Sequence, residues 1–242
     1  DLDNGMTMSY TYTMTDAAFS STSVMIDMGD MGSIGIGNSA GGAGIPAYDS
    51  VIPTAGEEVW DDVDTVDNGV VMHSKANAIE YNGTFGGFGV SAAYVNDGSG
   101  ASSDSSMVLT YDGLMDGLSL GYGLGEDSVD EDLETIFVKY TVGGITAAFQ
   151  RSELDSAGVS SDQDSDAMGV SFAINENLSI SYGTHDVDFG SSGSADEESA
   201  GVSASYTMGG MTITGISNTT DNVGGSDASN DSYREVTIAF AF

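Results

Sequence analysis

Met6-Thr7-Met8-Ser9-Tyr10-Thr11-Tyr12-Thr13-Met14 puts every methionine and tyrosine at an even position and every threonine and serine at an odd one. Successive side chains of a β-strand point to opposite sides of the sheet, so this period of two describes a strand with one apolar and one polar face. The pattern recurs down the chain. Phe88, Val90, Ala92 and Tyr94 alternate with Gly89, Ser91 and Ala93, and Leu118, Leu120, Tyr122 and Leu124 with Ser119, Gly121 and Gly123. Met168, Val170, Phe172 and Ile174 alternate with Gly169, Ser171 and Ala173, and Val236, Ile238, Phe240 and Phe242 with Glu235, Thr237, Ala239 and Ala241. The alternation predicts about fourteen strands, near 6–14, 20–28, 32–37, 76–83, 88–95, 106–112, 117–124, 134–142, 145–152, 167–174, 178–184, 199–207, 211–217 and 233–242. No segment carries a convincing helical period.

The connections alternate as well. Gly29–Gly32, Phe85–Gly87, Leu114–Gly117, Gly143-Gly144, Asn175–Asn177 and Gly209-Gly210 read as tight hairpin turns. Between them lie longer polar stretches such as Asn96–Ser105, Gly125–Asp132, Glu153–Asp166, Val187–Glu198 and Asn218–Ser232. Short turns at one end and long loops at the other are the layout of an up-and-down barrel in an outer membrane. The strand faces agree. Opposite the apolar face stand Gly, Ser, Thr and Ala, while the carboxylates gather in the long loops, apart from a few such as Glu80, Asp112 and Glu235 on the polar strand face. Small uncharged polar residues suit the wall of a water-filled lumen. The expected fold is therefore all-β, a transmembrane antiparallel up-and-down β-barrel with its apolar side toward lipid.

Composition removes other classes. Among 242 residues there are 4 Lys+Arg and 38 Asp+Glu, a formal net charge of −34. Recognition of a phosphate backbone needs cationic side chains that displace counterions, so nucleic acid is not a partner. With no cysteine, a disulfide scaffold and a thiolate-bound metal are ruled out. The 40% hydrophobic content argues against an acidic disordered chain.

One stretch breaks the alternation. From Asn38 to about Asn68 the chain reads Gly41-Gly42-Ala43-Gly44-Ile45-Pro46-Ala47-Tyr48-Asp49, then Ile52-Pro53, then Glu57-Glu58-Val59-Trp60-Asp61-Asp62-Val63-Asp64; it holds both prolines and the only tryptophan. A loop of this length without regular structure is usually functional. Together with Met28-Gly29-Asp30, the Gly32–Asn38 approach, the amphipathic hairpins and the terminal Ile238-Ala239-Phe240-Ala241-Phe242, it makes the whole chain resemble the general diffusion porins of Gram-negative outer membranes, especially those of alphaproteobacteria.

The resemblance implies a homotrimer of 16-stranded barrels, each a single domain over 1–242, with 38–68 folded inward as a constriction loop. On its acidic side would stand Asp49, Glu57, Glu58, Asp61, Asp62 and Asp64, facing a pore wall that carries Glu80, Asp112, Lys139 and Glu235. In that family the inward loop is the third outer one, whereas here it is the second. A missing first hairpin would account for this and bring about fourteen strands to sixteen, an even number that closes; an intact fourteen-strand barrel is the alternative. The family's basic ladder is depleted. Lys139 shares the face of Thr135, Phe137 and Thr141, while Arg151 and Arg234 fall on the apolar parity near loop ends, where lipopolysaccharide phosphate or a neighbouring subunit would meet them. Same-sign lumen charge repels anions, so the expected pore prefers cations and passes small hydrophilic solutes.

Other signals weigh less. Gly35-Ile36-Gly37-Asn38-Ser39-Ala40 matches a loose dinucleotide fingerprint, but no helix follows it. Asp62-Val63-Asp64-Thr65-Val66-Asp67-Asn68-Gly69 has a displaced third aspartate, and His73 stands where a calcium loop needs its bidentate glutamate. No cofactor is expected beyond Ca²⁺ or Mg²⁺ held among crowded loop carboxylates. Only His73 and His185 offer an imidazole base, and neither stands in a nucleophile–base arrangement, so the chain is not expected to be an enzyme. His185 reads as a loop-rim residue and Trp60 as packing of the inner loop. Tyr10, Tyr12, Tyr81, Tyr94, Phe240 and Phe242 fit aromatic girdles at a membrane interface, with lipid and lipopolysaccharide as neighbours. The alternatives are an acidic, Ca²⁺-binding extracellular surface or adhesion β protein and a substrate-selective outer-membrane channel. The first predicts inward-facing Met, Tyr and Phe.

Overall fold

The computed structural model describes residues 5–15, 18–37, 42–49, 51–63, 65, 78–96, 103–127, 131–156 and 162–241. Among them are fourteen strands: β1 (Thr7–Thr15), β2 (Ala18–Asp27), β3 (Ser33–Gly37), β4 (Ala78–Phe85), β5 (Phe88–Val95), β6 (Asp104–Tyr111), β7 (Leu118–Glu126), β8 (Asp132–Val142), β9 (Ile145–Asp155), β10 (Gln163–Asn175), β11 (Leu178–Phe189), β12 (Glu197–Met208), β13 (Met211–Asp221) and β14 (Asp231–Phe240). They are hydrogen-bonded in chain order, the up-and-down topology expected from the hairpin spacing. Helix is limited to single 3-10 turns at Gly29–Met31, Ile45–Tyr48 and Val223–Gly225 among the described residues. The β4–β5 turn shows why glycine stands there. Gly86 and Gly87 have φ of 57° and 89°, the double positive φ of a type I′ hairpin, which matches the twist of the flanking strands.

Every expected strand is present, but several are longer than their alternation. β10 starts at Gln163 instead of near 167, β11 runs on to Phe189, and β13 to Asp221. The added residues present no apolar outward face, since Gln163–Asp166 are all polar and Asp186 and Asp188 flank the buried Val187, so the outward hydropathy signal stops while the backbone ladder continues.

Which face is covered decides the class. The apolar parity is bare: Tyr10 is 64% exposed, Val202 53% and Ile238 53%. From β4 to β13 much of the opposite parity is covered, with Ser91, Thr135, Gln150, Ser165, Ser199 and Thr220 all buried, whereas β1 is exposed on both faces. In water that arrangement would forfeit about 25 cal/mol for each Å² of apolar surface left out; in hydrocarbon the bare face is matched to its solvent and the ladder satisfies the backbone. The surface-protein alternative, with Met, Tyr and Phe turned inward, is the reverse of this.

The chain groups into two compact units. One comprises Asp1–Asp49, Val70–Asp116 and Leu120–Thr135; the other comprises Ser50–Gly69, Gly117–Ser119 and Ile136–Phe242.

Candidate functional site

In the first unit, Glu80, Ala93, Ser106 and Gly125 lie in register across β4–β7, and Asn82, Ser91, Val108 and Gly123 form the next row on the same face. Residues 42–49 pack on these rows. Gly42 N–H donates to Glu80 Oε2 (3.1 Å), Gly44 N–H to Ser91 Oγ (2.9 Å) and Ile45 N–H to Ser106 Oγ (3.1 Å). Ile45 is 1% exposed. It rests where Gly123 and Gly125 carry no side chain; a Cβ there would come within 3.1 and 3.2 Å of it. Pro46 enters the 3-10 turn near its start, where a missing N–H costs nothing. Tyr48 reaches Thr110. Burial raises its phenol pKa above the ordinary value, the Thr110 hydrogen bond opposes the rise, and the charge of Asp112 adds to it.

The second unit repeats the arrangement with a longer floor. Gly169, Gly183 and Gly201 stand directly opposite one another on β10, β11 and β12, and the row continues to Asn218 on β13 and Tyr233 on β14. The adjacent row on that face is Ser171, Ser181, Ser203, Ile216 and Glu235. Residues 51–63 are seated on both rows. Ile52 lies over Gly169, and Val59 over Gly183 and Gly201. Ala55 N–H donates to Ser181 Oγ (2.9 Å), and Thr54 Oγ1 lies 3.2 Å from Ser203 Oγ. The space left between residues 52–59 and the strands is ≈ 10 Å³, room for one water at most. Trp60 is buried against His185, ring centroids 4.9 Å apart at 59°. Thr65 donates to the buried carboxylate of Glu197, which also accepts from Gly224 N–H at 2.7 Å.

These contacts present Glu57–Asp62 as an acidic turn. Asp61 N–H donates to Glu58 O (3.2 Å), Glu58 N–H to Asp61 Oδ2 (3.0 Å), and Asp62 takes a left-handed φ of 59°. The amide of Asn218 donates to Glu58 O (3.0 Å) and Asp61 O (3.3 Å). The Glu57 carboxyl is raised above its ordinary pKa, first by partial burial, then by the hydrogen bond and charge of Asp62, and then by the charges of Asp61 and Glu235. Glu235 itself accepts from Tyr233 and Thr237 hydroxyls.

Each expected site residue can now be placed. Asp49 closes the 3-10 turn, half-buried; Glu57 and Asp62 are exposed; Glu58 and Asp61 are half-buried in the turn; Asp64 lies outside the described residues. On the strands, Glu80 is buried beneath Gly42, and Asp112 falls one residue past β6, its N–H donating to Gly87 O at 3.0 Å. Lys139 shares the face of buried Thr135 and Phe137, and Glu235 stands near the acidic turn. Tyr10, Tyr12, Tyr94 and Phe240 are exposed on the apolar side, whereas Tyr81 donates its hydroxyl to Met31 O (2.9 Å). Phe242, Lys75 and His73 lie outside the described residues.

One expectation changes, that for His185. His185 is not at a rim but wholly buried inside β11, Nε2 3.0 Å from Ser165 Oγ, because the strand extends past the end of its alternation and Trp60 covers it. Arg151 is engaged within the chain, by Glu153 (2.9 Å), Asp164 (3.5 Å) and Asp166 (3.5 Å). Among the described residues no group of three potential ligands is arranged to hold a metal ion. The sequence reading missed the glycine row and Asn218. The usable signal was glycine at the polar parity of three consecutive strands.

Comparison with known proteins agrees with this architecture. The family model described as Gram-negative porin matches residues 1–234. No curated protein matches the chain. Among solved structures, the anion-selective porin from Comamonas acidovorans is similar with a TM-score of 0.66 at 16% identity, over 92% of this chain and 77% of that one. An engineered mutant of the Rh. blastica porin is similar with a TM-score of 0.69 at 14% identity, over 100% of this chain and 86% of that one. A triple mutant of the Rhodopseudomonas blastica porin gives 0.67 at 14% identity with the same coverage. At these identities the likeness establishes a shared porin β-barrel fold.

Proposed function

Because the chain belongs to the Gram-negative porin family and resides in the bacterial outer membrane, we propose that it forms a water-filled, cation-preferring pore for passive diffusion of small hydrophilic solutes, narrowed by residues 38–68 and assembled as a homotrimer. The observation that carries the ion preference is the acidic turn: Glu57, Asp61 and Asp62 share their field with Glu235 of β14. Carboxylates clustered beside a water-filled passage concentrate cations and exclude anions. The anion-selective porin of Comamonas acidovorans shows that the fold accommodates the opposite choice, so the preference must come from side chains. No step here forms or breaks a covalent bond; the residues act by position and charge.

The experiment is single-channel conductance in a planar bilayer under a KCl gradient, with detergent-purified protein. A reversal potential of cation-selective sign, with conductance steps in threes, supports the reading. An anion-selective sign refutes the charge assignment and retains the pore. A folded protein that is soluble without detergent and conducts nothing refutes the pore. Concentration-dependent block by one solute would favour a substrate-selective channel over general diffusion.

A further inference from the structure

We propose that Asn218, seated opposite Gly201, is the positioning residue that sets the ion preference of this pore by holding the Glu57–Asp62 turn in place. The inference rests on the reading of that turn as the selectivity element. Asn218 is 2% exposed and lies on the covered face of β13. Its Nδ2 donates to Glu58 O at 3.0 Å and to Asp61 O at 3.3 Å. Those carbonyls bracket Val59 and Trp60, so one side chain ties both ends of the acidic turn to the strand. The role needs a planar group with two hydrogens on one nitrogen. Leucine of similar size offers neither, and carbonyls stripped of their donor pay a desolvation penalty unless the turn moves to find water.

The partner position is as specific. Gly201 stands directly opposite Asn218 in the ladder. A Cβ at 201 would overlap the Asn218 Oδ1 and sit 3.1 Å from Val59 Cγ1. The φ of Gly201 is not positive, so the backbone does not demand glycine there; the asparagine amide does. The two residues are a notch and its filler. Elsewhere on the turn, Val59 on Gly183 and Trp60 on His185 fix side chains through apolar contact, and Thr54 Oγ1 donates to Glu57 O at 2.7 Å. The Asn218 amide bonds the carbonyls of Glu58 and Asp61 from the strand side, in addition to the turn's own hydrogen bonds between Glu58 and Asp61, and the field that Glu57 and Asp61 share with Glu235 depends on their distance.

The test compares N218L, G201A, the double variant G201A/N218L and the charge control E57Q/D61N/D62N. The readouts are reversal potential under a KCl gradient and single-channel conductance, each on protein shown to be folded by its heat denaturation in detergent. N218L and G201A are each expected to lower the cation-over-anion permeability ratio by about threefold or more. The double variant is expected to fall no further than N218L, since the two positions act as one unit. If N218L does not fold, G201A, which adds one methyl group, carries the test. A reversal potential unmoved by N218L and G201A but moved by the charge control overturns the role of Asn218 and leaves the turn as the selectivity element. A reversal potential unmoved by the charge control overturns the reading of the turn itself. Altered stability or conductance with an unchanged reversal potential assigns Asn218 a merely structural role and also overturns the proposal.

Discussion

Val59 is 7% exposed, yet two of the strands beneath it supply no side chain, because Gly183 and Gly201 leave backbone-deep space for its methyl groups. Gly183→Leu puts a four-carbon side chain where a Cβ alone comes within 3.0 Å of Val59. It is expected to lift the acidic turn and to cost about 1–3 kcal/mol through overpacking, read as a lower heat-denaturation midpoint in detergent together with altered single-channel conductance. Trp60→Ala removes the ring that covers His185. A loss of about 3–5 kcal/mol, typical of a large aromatic deleted from a packed site, would show in the same denaturation assay. The raised pKa of Glu57 predicts a pH response. Its proton binds more tightly in the folded chain, so its support for folding is present below the ordinary carboxylate pKa and is lost as pH rises through the raised value. The same shift makes cation preference begin to fall, on acidification, at a higher pH than an ordinary glutamate would give, and E57Q should remove that early part of the reversal-potential titration. At this scale the sequence was half legible. The acidic residues of the turn could be named from composition and loop length, but Asn218 stood at the apparent start of a polar connection, Asn218–Ser232, where nothing distinguished it from loop asparagines.

The strands carry the two-faced pattern that makes the fold readable. Alternation located all fourteen because outward residues are large and apolar while inward ones are small, a contrast that survives without tertiary information. It failed at the loopward ends of β10, β11 and β13, where Asp164, Asp166, Asp186 and Asp188 point to one side and residues such as Ser165 and His185 to the other. Beyond the apolar band there is no lipid to select hydrophobic side chains, so the ladder continues without its sequence signature. The two faces should respond oppositely to one charge. Val202→Lys, on the bare face of β12, is expected to destabilise by about 2–4 kcal/mol in a bilayer if it lies near the midplane. Ser179→Lys, on the polar parity of β11, should cost far less and instead shift the reversal potential toward anions. Equilibrium unfolding from lipid vesicles measures the first, and bilayer recordings the second.

At the scale of the molecule, a formal net charge of −34 makes selectivity a long-range property as well as a local one. Screening shortens the reach of those charges from about 10 Å at 0.1 M salt to about 3 Å at 1 M. The permeability ratio should therefore fall toward unity as KCl is raised at a fixed gradient, and the part that survives at 1 M reports the acidic turn alone. Family and membrane class were legible from alternation, loop lengths and the single long insertion. The seat of that insertion was not, since it arises only when residues of separate strands meet in register across the sheet. The row of Gly169, Gly183 and Gly201 has a corollary for biogenesis. A slip of one residue turns every side chain to the opposite face; it would bring Tyr182 or Thr184 into the place of Gly183, and Ala200 or Val202 into the place of Gly201. The cradle exists only when neighbouring hairpins have threaded correctly, and only then can Ile52, Val59 and Trp60 leave water. A mis-threaded barrel would leave these three residues in water, so the seating of this one stretch depends on the correct register of the strands beneath it.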